Sequence, residues 1–208
     1  MKYNPQIHHR RSIRLKEYDY SQAGLYFITI CTQNRACLFG EIENGEMILN
    51  DAGKMIDTEW MHLKKRFPNI QLHAFVIMPN HLHGILEIVS TNVGATLVVA
   101  QNENNVVAPV TVSPVDTEPR DGQPQNTGQP QGIAPTGIKT VGDMMDAFKS
   151  ITTVEYIRGV KQHNWQPFDG KLWQRNYWEH IIRNDDDCNR ITQYIINNPK
   201  NWGNDTLK

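Results

Sequence analysis

The chain has 208 residues, 39% of them hydrophobic and 21% charged, with a net charge of -1, enough for one domain whose core needs no disulfide staples. No stretch approaches the ~20 apolar residues that cross a bilayer, and the first ten residues lack the apolar block of a signal peptide. Cys31, Cys37 and Cys188 show no C-x-x-C spacing, which argues against a disulfide framework or a cysteine zinc site and for a reducing cytoplasm.

The chain opens with a basic arm over residues 1–24, in which residues 8–16 read His-His-Arg-Arg-Ser-Ile-Arg-Leu-Lys. Residues 25–32 are β-branched and aromatic and predict a central strand. Segments 36–42 and 46–49 flank Asn44-Gly45, a favoured turn pair, and predict a hairpin. Asn50 or Asp51 caps a helix to about Arg66, with Ala52, Ile56, Trp60, Leu63 and Phe67 at helical spacing and Pro68 just beyond. Residues 71–78 predict a second long strand, Pro79-Asn80 a turn, and residues 81–89 a returning third strand.

Residues 90–139 differ in kind. Up to residue 137 they hold six of the eleven prolines and no Phe, Trp or Tyr, with Glu103, Asp116, Glu118 and Asp121 against Arg120 alone. Such a segment buries too little apolar surface to offset its ordering entropy, so a mostly disordered insertion is expected, with Leu97-Val98-Val99 as a stray strand at most. Beyond it, Thr140 and Asp143 have capping-box spacing, and Val141, Met144, Met145, Phe148 and Ile151 give one face of a helix to about Val160. Residues 172–182 read as a fourth long strand. Asn184 or Asp185 begins a last helix, which Pro199 stops. This order fits an α+β, ferredoxin-like antiparallel sheet with two helices on one face and an extra C-terminal helix, built from residues 25–89 and 140–208.

The chemistry begins at Met78-Pro79-Asn80-His81-Leu82-His83-Gly84. Strand side chains alternate, so His81 and His83 share one face while Leu82, Leu86 and Ile88 point to the other. Two imidazoles at the start of a strand are two-thirds of a metal site, or else a pair of surface histidines. On the last helix Tyr194 and Asn198 are four apart and share a face flanked by Ile191 and Ile195. Either the tyrosine fills core space, or it holds a phenol over a metal with Asn198 as an oxygen ligand. Tyr177, Tyr156 and Tyr26 compete for a nucleophile's role, the last two being better suited to the core. Tyr177 alternates with Trp178, so one of them faces the core and the other is free to stack on a base. Glu179 and His180 are reserve ligands. Glu87, further along the histidine face, and His73, on the neighbouring strand, rank below them.

The sequence resembles the REP-associated tyrosine transposases, single-tyrosine members of the HUH endonucleases. The resemblance is carried by residues 10–15, Tyr18-Asp19-Tyr20, 24–29, the His81-Leu82-His83 pair, Phe148-Lys149-Ser150, residues 173–183 and Tyr194-Ile195-Ile196-Asn197-Asn198-Pro199. It covers residues 10–89 and 140–202, and the insertion departs from the compact family pattern. It implies that His81, His83 and Asn198 are metal ligands and Tyr194 the nucleophile, forming a 5′-phosphotyrosine and a free 3′-hydroxyl on single-stranded or hairpin DNA of palindromic repeats. Mixed nitrogen and oxygen ligands suit Mn2+ or Mg2+. Arg10, Arg11 and Arg14 of the arm, with Lys149, Arg158, Lys161, Lys171, Arg175 and Arg183, are candidates to meet phosphates, and Trp165, Trp173 and Trp178 to stack on bases. Two other readings use the same residues: a non-catalytic nucleic-acid-binding sheet, and a metal phosphoesterase in which water attacks and Tyr194 is structural. A monomer and a homodimer, with the site completed within one chain or by a partner's helix, are both compatible with the sequence.

Overall fold

The β-branched run that predicts a central strand forms one: β1, Gly24–Cys31, lies inside a four-stranded sheet. The computed structural model describes residues 18–90 and 139–208. The arm positions Arg10, Arg11 and Arg14, the Leu97–Val99 segment and nearly all of the insertion lie outside the described residues. After β1 come a short hairpin, β2 (Gly40–Glu43) and β3 (Glu46–Leu49), then α1 (Asp51–Arg66), β4 (Ile70–Met78) and β5 (His81–Ile88). The chain then continues through α2 (Val141–His163), β6 (Trp178–Ile182) and α3 (Asp185–Asn197). The sheet order is β4-β5-β1-β6 with every neighbouring pair antiparallel, as a ferredoxin-like layout requires.

Local chemistry accounts for most of the boundaries. Asn44 and Gly45 both take positive φ (52° and 79°), as the two-residue turn between β2 and β3 demands. Asn50 caps α1 through its side chain, Thr140 and Asp143 form a reciprocal capping box on α2, and Asn184 caps α3. The first hairpin strand is shorter than the 36–42 expected, because residues 33–35 form a 3-10 turn and the Leu38 and Phe39 amides bond to the Pro79 carbonyl instead of to β3. Helix α2 outruns Val160 by three residues and ends on Asn164 in the left-handed conformation. Its buried stripe passes through Thr152 and Tyr156, leaving Ile151 half-buried.

The two faces of the sheet have different partners. On one, Tyr26, Ile28, Ile30, Leu82, Leu86 and Ile88 pack under α1 and α2, against Ile56, Trp60 and Leu63 of α1 and Met144, Met145 and Phe148 of α2. Burial of each such side chain contributes roughly 1.5–3 kcal/mol before the entropy of ordering it. On the other face, Ile191 and Ile195 of α3 pack on Ile85 and Ile182, flanked by Phe27 and Val76. Helix α3 therefore lies across the side of the sheet that carries the paired histidines.

Gly84 interrupts β5 between these faces for a steric reason. A Cβ there would sit 2.5 Å from Cζ2 of the fully buried Trp60. Gly84→Ala should therefore destabilise the fold by about 1–3 kcal/mol, the usual cost of overpacking a filled core. Urea denaturation checks this: an unchanged midpoint would mean that Trp60 repacks freely.

The fourth strand corrects the sequence reading. Only residues 178–182 pair with β1; residues 172–177 do not continue the ladder. Their backbone is held elsewhere: Gln33 N donates to the Leu172 carbonyl, Gln174 N donates to the Cys31 carbonyl, and Thr32 and Trp173 form an isolated bridge. The apolar residues there, Leu172, Trp173 and Tyr177, are buried in the main core.

Candidate metal and nucleophile site

His81 and His83 begin β5 on the face covered by α3. Both are almost wholly buried, and each Nδ1 is occupied by a hydrogen-bond partner, so that each Nε2 is turned to the same space. The tautomer of His81 follows from its neighbour. The Asn80 amide nitrogen donates to the Arg35 carbonyl (3.2 Å) and to the Leu207 carbonyl (2.8 Å). Its Oδ1 therefore faces His81 Nδ1, 2.6 Å away, and can only accept. His81 carries its proton on Nδ1 and presents a lone pair at Nε2. His83 Nδ1 lies 2.7 Å from Thr29 Oγ1, and its Nε2 lies 3.2 Å from the Tyr194 hydroxyl, which donates to it when Nδ1–H donates to Thr29.

Three buried polar atoms gather at this point without hydrogen-bond partners: His81 Nε2, Asn198 Oδ1 and Asp205 Oδ2. His81 Nε2 and Asp205 Oδ2 are 3.6 Å apart. This contact is not an ion pair at neutral pH. Burial pulls the His81 pKa down to about 4, Asp205 opposing the shift, Arg35 adding to it and Asn198 opposing it. A neutral imidazole lone pair thus faces a carboxylate oxygen, an arrangement that a cation between them would relieve. His83 is pushed well below its ordinary value by burial and then by His81. Among the described residues, the ligating atoms of His81, His83 and Asp205 lie within 4.8 Å of one another. The donor set fits a hard to borderline divalent ion.

Tyr194 is half-exposed at 44%, with one side on the site and the other toward solvent. Its ring meets those of His83 and Phe27 edge to face. Burial and then Asp205 raise its pKa, while a hydrogen bond from Asn198 lowers it. Helix α3 supplies Tyr194, Asn198 caps its C-terminus with helical backbone angles four residues on, and Ile191 and Ile195 on the adjoining stripe fix that face against the sheet.

Asp205 escapes the sequence reading. It follows Pro199 and a 3-10 turn, Pro199–Asn204, that folds the chain back across the site. Arg35 donates to the Thr206 carbonyl and Asn80 to the Leu207 carbonyl, fastening that segment beside His81. No local pattern in the sequence marks a carboxylate delivered this way.

The other candidates are dispersed. Trp173, expected to stack on DNA, is a core residue: it is 4% exposed, packs on Phe39 and Phe148, and donates from Nε1 to Thr152 Oγ1. Its indole lies in the main core, on the helix-covered side of the sheet. Lys149 is half-buried, its ammonium donating to the Arg175 carbonyl, while the Arg175 and Arg183 residues are exposed. Of the reserve ligands, Glu179 is buried on the side of β6 opposite the site face, and His180 pairs with Asp187 at 2.8 Å. Glu87 pairs with His73 at 2.7 Å. Tyr26 and Tyr156 are fully buried core residues, and burial raises the pKa of each.

Two outcomes follow from the histidine geometry. Asn80→Ala removes the group that orients His81 and strands two carbonyls, so divalent-metal affinity should fall ~10–100-fold; calorimetric titration with Mn2+ checks it. Acid should destabilise the metal-free protein through His81. Above pH 6.5 the imidazole is neutral both folded and unfolded. Between about pH 6.5 and 4 only the unfolded chain takes the proton, so the contribution is lost as pH falls through this window, at most about 3 kcal/mol. Melting in chelator, compared with His81→Gln, checks it: equal acid sensitivity would mean that His81 is not held neutral.

No protein-family model matches the chain. A protein of Haemophilus influenzae (strain Rd KW20), described as uncharacterized, is 40% identical over 206 residues, spanning 99% of this chain and 97% of that one. The chain belongs to that protein's family. Two solved structures are also similar. One is a REP-associated tyrosine transposase bound to a REP hairpin, 18% identical over 91% of this chain and 75% of that chain, with a TM-score of 0.49. The other is a candidate transposase from Deinococcus radiodurans R1, 15% identical over 88% of this chain and 95% of that chain, with a TM-score of 0.40. No helix among the described residues is long and apolar enough to cross a membrane.

Proposed function

We propose that this protein is a metal-dependent, transposase-like DNA nickase and strand transferase that cuts and rejoins single-stranded or hairpin DNA through a 5′-phosphotyrosine at Tyr194. The observation that carries the reading is the Tyr194 hydroxyl 3.2 Å from His83 Nε2, beside three unpartnered buried acceptors on His81, Asn198 and Asp205. A half-exposed phenol beside a cluster of ligands suits nucleophilic attack on an extended substrate better than a core role. The resemblance of the His81-Leu82-His83 and Tyr194–Pro199 motifs to the tyrosine transposases supports the same reading.

His81 and His83 would hold the ion through Nε2, joined by Asp205 and Asn198 as oxygen ligands, and either Mn2+ or Mg2+ suits such a set. When bound, the ion supplies positive charge where negative charge develops on the phosphoryl oxygens. The protein's own groups do the rest. The Ile191 and Ile195 contacts hold α3 so that the Tyr194 oxygen stands beside the site. As the Tyr194 oxygen bonds to phosphorus, the bond from phosphorus to the 3′ oxygen breaks. The phenolic proton leaves to water on the exposed side, and the departing 3′ oxygen takes up a proton. The phosphodiester energy stays in the Tyr194–phosphate bond, so a 3′-hydroxyl can reverse the step without a nucleotide cofactor.

The test is a covalent-adduct assay. Wild-type protein with hairpin DNA and Mn2+ should give a denaturation-resistant protein–DNA complex, and Tyr194→Phe should give none while retaining binding. Cleavage that survives in Tyr194→Phe would indicate attack by water instead. Binding with no cleavage by the wild type would indicate a non-catalytic nucleic-acid-binding sheet.

A further inference from the structure

A cavity of about 660 Å³ adjoins the site, sharing His83 and Tyr194 with it and extending along the sheet to Trp178 and Asn176. Trp178 is 56% exposed, a large apolar surface left open to solvent. The strand register explains its place. His83 pairs with Thr29 and Thr29 pairs with Trp178, so the three side chains form one cross-strand row on the same face. With strands about 4.8 Å apart, the Trp178 backbone stands roughly 10 Å from that of His83. Asn176, exposed at the cavity's edge, makes no side-chain hydrogen bond among the described residues.

We infer that this cavity is a nucleobase pocket, in which Trp178 stacks on the base next to the scissile phosphate and Asn176 meets that base's polar edge. The inference rests on the function proposed above and names the part of the substrate that it leaves open. Whatever fills the cavity abuts the phosphoryl site, so for a DNA substrate it is continuous with the phosphodiester. An exposed indole face gives a flat, sequence-tolerant platform, and an amide offers both a donor and an acceptor to a base edge. The separation between Trp178 and His83 is on the scale of one nucleotide, base to phosphate. Trp178 thereby takes the stacking role for which Trp173, buried in the core, is unavailable.

The experiment uses the full chain carrying Tyr194→Phe, in chelator, with a twelve-nucleotide oligo-dT in which 5-iododeoxyuridine replaces each thymidine in turn. Added Trp178→Ala should weaken equilibrium binding roughly 10-fold, and Trp178→Phe should restore most of it. Photocrosslinks mapped by mass spectrometry should fall on Trp178. Unchanged binding in Trp178→Ala, crosslinks confined to other residues, or no binding of the strand at low salt each overturns the pocket. No metal or cleavage enters this measurement, so it fails separately from the adduct assay. An adduct without dependence on Trp178 removes the pocket alone, whereas Trp178-dependent binding without an adduct removes the nickase and leaves the pocket.

Discussion

Tyr194→Phe is expected to lower covalent-adduct formation and strand cleavage by roughly 10³-fold or more, the loss that follows when a nucleophile has no substitute. The same variant should unfold within about 1 kcal/mol of the wild type, because the missing hydroxyl belongs to a half-exposed side chain and its partners, His83 and Asn198, lie beside solvent-accessible space. Activity and stability therefore separate in one protein. Chemical denaturation alongside a denaturing-gel assay for the adduct checks both halves. An adduct of undiminished yield in the phenylalanine variant would place the covalent bond on another residue, and peptide mapping would then examine the partly exposed tyrosines, Tyr18 and Tyr20.

The second large effect concerns the metal. Three buried acceptors without partners are costly in the absence of a cation, so binding should stabilise the folded state. At a Mn2+ concentration 100-fold above the dissociation constant the gain is about 2.7 kcal/mol, which for a chain of this length corresponds to a rise in melting temperature of roughly 5–10 °C. His81→Ala should lose nearly all of that rise. Asp205→Asn, which keeps the side chain's shape but removes its charge, should lose much of it. Differential scanning calorimetry with and without Mn2+ reads the effect directly. If Asp205→Asn kept the full rise, the carboxylate would not belong to the ligand set, and Asn198 would be left as the oxygen donor from the C-terminal part of the chain.

How far the sequence disclosed this arrangement depended on how local each signal was. Alternation along β5 sets His81 and His83 on one face whatever the rest of the fold does. The four-residue spacing of Tyr194 and Asn198 likewise survives any tertiary context that keeps the helix. Helix starts at Asn50, Thr140 and Asn184 are local hydrogen-bond chemistry, and all three were legible. The break at residues 172–177 is not legible, because their aromatic and apolar content resembles that of the adjoining strand while their backbone bonds to the end of β1 and the residues just after it. The burial of Trp173 follows from parity: alternation counted back from Trp178 puts Trp173 on the side of Tyr177 and Glu179, under the helices. Asp205 was invisible because its position depends on a chain reversal and on two carbonyl contacts, to Arg35 and Asn80, distant in sequence.

The order of β5 has one more consequence. The strand opens with the histidines and closes at Ile88, and residues 91–138 follow that far end. Seven residue steps put roughly 23 Å of paired strand between His81 and Ile88. The imidazoles thereby stand at the opposite end of β5 from the point where the described chain leaves the sheet.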